Sequence, residues 1–134
     1  MYYSDLLKEE IASIEIYDCS EEHASYHLIN DRTIDKKDPM LSLKESQIES
    51  FLKDLSVIRF YREGGLLIGA VDPSFNFGEM VAKINFLDGS ALYLSDGYYC
   101  IWRNADGSGR DVHHLSPDKE EWKTFINSYI LNQK

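Results

Sequence analysis

The chain has no long apolar run. The longest is about five residues, far short of the ~20 needed to cross a bilayer as a helix, so no membrane helix is expected. Cysteine is scarce. Cys19 and Cys100 are too few for a disulfide scaffold, and reduced thiols in a cytoplasmic protein are the simpler reading. The first residues, MYYSDLLKEE, lack the basic start and apolar stretch of a secretory signal. Positive charge is short as well: 14 Lys and Arg stand against 23 Asp and Glu, a net charge of −9. That balance argues against nucleic acid, which needs a clustered basic surface, and against anionic lipid. No GxSxG, HExxH, CxxC or P-loop occurs, so neither a cofactor nor a resident metal is expected.

What is present describes one domain spanning 1–134, with 43% hydrophobic and 28% charged residues. The acids are unevenly spread. Residues 1–54 hold 13 acids against 6 bases, while 55–134 hold 10 against 8. Seven acids fall between Asp5 and Glu22, with Lys8 as the only base among them. Such a run either solvates a face or attracts a basic partner. Glu15, Asp18, Glu21 and Glu22 are the acids expected to meet that partner.

Ser4 and Asp5 open a helical pattern continued by Leu7, Ile11 and Ile14. From Ser13 the alternation of Ile14 and Ile16 against Glu15 and Tyr17 changes to that of a strand. Tyr26 to Asn30 reads as a second strand, and Asp31 to Pro39 as a loop. Ser42-Leu-Lys-Glu45 is a capping box for a helix over 42–55, striped by Leu43, Ile48, Phe51, Leu52 and Leu55. Val57 to Arg62 predicts a strand, with a hairpin at Gly64-Gly65, a return over Leu66 to Val71 and a loop over 72–78 carrying Phe75 and Phe77. Asp-Gly pairs at 88, 96 and 106 then separate Met80–Leu87, Ala91–Ser95, Tyr98–Arg103 and Asp111–Leu115. That is a four-strand antiparallel meander. A first loop of odd length aligns Ala82 with Leu94 and Ile84 with Leu92. A one-residue slip would set apolar beside polar, so Gly89 takes the left-handed position of a bulge. Ser116 caps a last helix with Pro117 in its first position, striped by Trp122, Phe125, Ile126, Tyr129 and Ile130. The fold class is α+β: an antiparallel sheet of six to eight strands packed with two or three helices.

The stretch NADGSGRDVHHL, residues 104–115, looks most like a site. Its oxygens miss the calcium-loop spacing. Its glycines lead into a strand rather than a phosphate-binding helix N-terminus. His113 and His114 point to opposite faces of a strand. Pairing Arg103 with Arg110 sets Ile101 opposite Val112 and Cys100 opposite His113, a conceivable thiolate–imidazole couple that lacks an orienting third group. His23 and His27 lie roughly 13 Å apart on a strand and cannot share a metal. Tyr93, Tyr98 and Trp102 are assigned to the sheet face opposite Ile84, Leu92 and Ile101. If no second helix covers that face, it would make an aromatic interface with Arg103 nearby.

Small size, acidity, the Asp5–Glu22 run and the absence of a catalytic motif resemble bacterial toxin-immunity proteins of the contact-dependent inhibition type. The resemblance implies a cytoplasmic, non-catalytic protein that occludes the basic active site of a toxin, through steered association and aromatic anchors. Two other classes fit the same residues: a ligand-binding or enzymatic domain with a pocket near Tyr99, Cys100 and His114, and a subunit that homo-oligomerises through its aromatic face. One consequence is independent of function. Trp122→Ala should lower unfolding free energy by about 3 kcal/mol, measured by urea denaturation.

Overall fold

A computed structural model describes residues 1–25, 27–62, 77–97 and 99–131. The elements run β1 (Ile11–Asp18), α1 (Ser20–Ala24), α2 (Asp31–Asp35), β2 (Leu41–Ser42), α3 (Glu45–Leu55), β3 (Phe60–Arg62), β4 (Met80–Phe86), β5 (Ala91–Ser95), β6 (Cys100–Arg103), β7 (Arg110–His113), β8 (Leu115–Pro117) and α4 (Lys119–Leu131). Six strands form an antiparallel sheet in the order β2-β1-β4-β5-β6-β7, and β3 pairs with β8 separately. The architecture is α+β, as expected. The meander is β4 to β7.

Its registers follow the alternation argument. Ala82 pairs with Leu94 and Ile84 with Leu92. The turn closes with Phe86 N–H on Ser90 O at 2.9 Å, and Gly89 holds φ at 94°. Further along, Arg103 pairs with Arg110, Ile101 with Val112 and Cys100 with His113.

Both faces of the sheet are covered. On one, Ile14, Ile16, Ala82, Ile84, Leu92 and Leu94 pack with α3 and α4, including Phe51, Leu55, Trp122 and Ile126. The Trp122 indole donates to Met80 O at 3.0 Å. On the other, Tyr17, Val81, Tyr93, Tyr99 and Ile101 pack with Ile29, Ile34 and Phe77. The Phe77 ring lies 5.1 Å from Tyr99 and 6.2 Å from Tyr93, near parallel to each. Phe77 is therefore a core residue.

The chain start differs from expectation. The helical reading of Leu7, Ile11 and Ile14 fails: Lys8–Glu10 form one 3-10 turn and Ile11 already begins β1. Ile11 pairs with Phe86 while Ser13 pairs with Asn85, so Ala12 is an extra, bulged residue. The bulge turns both Ile11 and Ile14 inward, a three-residue spacing that mimics a helix. Residues 27–30 are not a strand, and α2 stands where a loop was expected. Asn30 makes the difference: its Oδ1 accepts from the N–H groups of Arg32 and Thr33, while the Thr33 hydroxyl accepts from Asn30 N–H. Ser42 belongs to β2, and α3 starts at Glu45, where Gln47 Oε1 accepts from Lys44 N–H at 2.9 Å. Pro117 lies in β8. Asp118, not Ser116, caps α4, accepting from Glu121 N–H at 3.0 Å. The hairpin at Gly64-Gly65, the return strand and Phe75 lie outside the described residues.

The β5–β6 turn buries one carboxylate. Asp96 is 4% exposed, and its Oδ1 has no hydrogen-bond partner among the described residues. Gly78 packs so closely that a Cβ there would lie 1.8 Å from this oxygen. Burial pushes the Asp96 carboxyl above its ordinary value. Its ionisation therefore costs stability as pH rises through the folded-state value, while below the unfolded-state value no cost remains. Asp96→Asn should raise unfolding free energy at neutral pH by about 1–3 kcal/mol. The gain should shrink towards pH 4, read by thermal unfolding at the two pH values.

Candidate functional site: an acidic trough at the end of the sheet

The N-terminal segment is tied down at two points. Met1 exchanges backbone hydrogen bonds with Phe60, at 2.7 and 3.0 Å. Glu10 O accepts from Leu87 N–H at 2.8 Å, at the far end of β4. Between these anchors the acids of the first turn lie beside the ends of β4 and β6. Asp5, Glu9, Glu10 and Asp88 rim a cavity of about 350 Å³ whose floor is Leu6, Phe86 and Trp102. The Phe86 and Trp102 rings are tilted, with centroids 5.1 Å apart. Both are half-buried at the margin of the first core.

A second cavity of about 360 Å³ shares Asp88, Ser90 and Trp102 and continues to Asn104, Ala105 and Asp106. Together the two form one trough across Trp102. Five carboxylates line it, and among the described residues no lysine, arginine or histidine does. Asp88 accepts from the N–H and hydroxyl of Ser90 at 2.8 and 2.6 Å, and Asp106 likewise from Ser108 at 2.9 and 2.7 Å. These hydrogen bonds, the serine hydroxyls' above all, hold both carboxyls below the usual range, so each stays ionised.

The other residues singled out in the sequence scatter. Glu15 Oε1 accepts from Asn85 and Tyr17, at 3.0 and 3.3 Å, on the second sheet face. Asp18 accepts from Ser20 N–H at 2.9 Å, at the start of α1. Glu22 pairs with Lys37 at 2.8 Å, and that ammonium holds its carboxyl below the usual range. Only Glu21 simply faces solvent. Asp18 and Glu22 lie near enough to act on each other, with the Lys37 ammonium beside both, whereas Glu15 is turned to Asn85 on the sheet.

Tyr93 and Trp102 do not share a face. Trp102 pairs with Leu92 and Tyr93 with Ile101, so the two rings point to opposite sides of the sheet. Tyr93 is fully buried, its hydroxyl donating to Asp35 at 2.6 Å. It belongs to no open surface, and the expected aromatic face is covered. Tyr98 lies outside the described residues.

Among the described residues Trp102 is an expected contact residue that lies in this trough, joined by Asp5, Glu9, Glu10, Phe86 and Asp88. The sequence scan passed over these. Asp5, Glu9 and Glu10 belonged to the acidic run, but nothing local showed that it folds onto β4.

Catalytic chemistry finds no support in the cysteines. Cys100 is opposite His113 but points into the core, its thiol donating to Leu115 O at 3.6 Å. Burial pushes the thiols of Cys19 and Cys100 up to about 12, so neither is a thiolate at neutral pH. Among the described residues no three His, Cys, Asp or Glu side chains gather as a metal site. No helix there is long and apolar enough to cross a membrane. No family model, curated protein or solved structure matches the chain.

Behind the trough the second face carries a charged cluster. Asp35 accepts from Tyr93, from Lys83 at 3.1 Å and from Arg103. Asp31 accepts from Arg110 at 2.6 Å and lies 3.6 Å from Arg103. Burial alone would raise the Asp35 carboxyl, but hydrogen bonds from Arg103, Tyr93 and Lys83 outweigh it and hold the group below its ordinary 3.8. Its stabilising effect is present above that value and is lost as pH falls through the lower folded-state value. Asp35→Asn should therefore lower the Tm at pH 7, and the deficit should close as pH falls through the lowered folded-state value, read by circular dichroism melts.

Proposed function

We propose that the chain is a non-catalytic binding protein whose acidic trough receives a basic segment of a protein partner. One observation carries this: five carboxylates and, among the described residues, no base surround a floor that contains a half-buried tryptophan. An arginine or lysine entering the trough can stack on Trp102 while its charge meets the rim. A half-buried indole ringed by polar groups also has the character of an interface hot spot. The class that unites small size, net acidity and capture of a basic surface is the toxin-immunity protein. In this reading the chain works in the bacterial cytoplasm and occludes the basic active-site cleft of a toxin domain. The acids raise the association rate, and Trp102 slows dissociation.

The two tryptophans make a direct test. Trp122 is fully buried and Trp102 half-buried, so a change in intrinsic fluorescence on adding an oligo-arginine peptide reports on the trough. Trp122→Phe isolates the Trp102 signal. Trp102→Ala, followed by calorimetry, should weaken binding by about 2 kcal/mol or more. Glu9→Lys with Glu10→Lys should abolish the response, whereas Glu21→Lys with Glu22→Lys, the same change in net charge, should not. Equal effects of the two double reversals would reduce the attraction to bulk charge and overturn the reading. Co-purification of the full chain with the product of an adjacent gene then tests the immunity role itself.

A further inference from the structure

The hairpin that supplies Trp102 to the trough carries a site of opposite sign on its other side. A cavity of about 320 Å³ there is lined by Arg32 of α2, Arg103 of β6 and Arg110 of β7, with Asp31, Asn104 and Asp106. Arg103 and Arg110 are directly opposed cross-strand neighbours, a like-charge placement that costs stability. Asp31 lies between them with its side chain 2% exposed, one oxygen towards each guanidinium. Both arginines make their ion pairs through Nη1 alone. Each guanidinium has five N–H donors in a rigid fork. The Arg103 guanidinium also lies 5.2 Å from the Tyr93 ring centroid, and both arginines line the cavity.

Arg32 lies on the rim, exposed and without an ion pair among the described residues. Asp106 is turned back onto Ser108. The second acid of α2, Asp35, is matched by Lys83 as well as Arg103. The lining thus sets three arginines against two aspartates, in a chain of net charge −9.

We propose that this cavity binds a phosphate-type oxyanion, either the free ion or a small phosphate monoester, on the forks of Arg103 and Arg110 with Arg32 closing the mouth. Asp31 is the positioning residue: buried and bridging, it fixes the two guanidiniums before any ligand arrives. The cavity adjoins the trough, since Asn104, Ala105 and Asp106 line both, but its arginines line only this side.

The test is calorimetric titration of the full chain with inorganic phosphate and, separately, glycerol 3-phosphate, with chloride at equal ionic strength as the blank. Both phosphates should bind where chloride does not. Tighter binding of the ester assigns the site to phosphate carried on an organic molecule, and equal binding assigns it to the free ion. Arg32→Gln, an exposed change that should leave the fold intact, should weaken binding about tenfold. Arg110→Gln should abolish it, with circular dichroism confirming the fold. Trp102→Ala should leave it unchanged. A response to phosphate no larger than to chloride, or an Arg32→Gln protein that binds like the wild type, would overturn the proposal.

Discussion

Asp31 and Asp35 stand one turn apart on a five-residue helix and face the sheet together. Between them they engage Lys83, Tyr93, Arg103 and Arg110, from four strands. A helix of that length has no stability of its own. The Asn30–Thr33 capping box sets its first turn, and the charged contacts fasten it to the sheet. Beneath that fastening lie Tyr93, Ile101, Val81, Ile34 and Phe77, all buried. A carboxylate as buried as Asp31 is tolerated only because two guanidiniums reach it, and removing either would strand charge in a place that water cannot solvate. The second core and the arginine cavity both depend on this clasp.

The alternation of β-strands decides what remains available to a partner. Leu92 and Tyr93 are consecutive and face opposite ways, as are Ile101 and Trp102. With both faces covered, large binding side chains can reach solvent only at the sheet's ends and margins. Trp102 does so because β6 is near the edge and the first core thins there to Phe86 and Leu6. The N-terminal segment then folds back and brings its acids to that margin. The trough is thus a product of tertiary folding, assembled from the chain start, the β4–β5 turn and β6.

This explains what could be read from the sequence. Strong local signals carried the meander: Asp-Gly turns, two-residue alternation and the cost of a register slip defined β4 to β7 and the cross-strand pairs of β4 with β5 and of β6 with β7. The apolar stripe of α4 gave the cover of the first face. Boundaries were lost where two local signals compete. Ile11 and Ile14 have helical spacing only because Ala12 is bulged out. Asn30-x-x-Thr33 is a capping signal that was overlooked within a charged stretch. Ser116 resembles a cap yet is a strand residue beside β3, and Asp118 does the capping. Of the site, only Trp102 and the general acidity were visible. That Asp5, Glu9 and Glu10 would meet Asp88 depends on a backbone contact between Glu10 and Leu87, 77 positions apart, which no local pattern encodes.

The outer strands of the sheet bear on how the protein behaves when concentrated. The six-stranded order begins with β2, two residues long, and ends with β7, all four of whose residues are exposed. An outer strand offers its free backbone groups to any extended chain that meets it. Here one edge is too short to template a neighbour. The other carries Arg110, Asp111 and His113, so a second copy laid alongside would have to desolvate these polar side chains. Among the described residues, the β7 border of the main sheet is therefore guarded by polar side chains against edge-to-edge pairing.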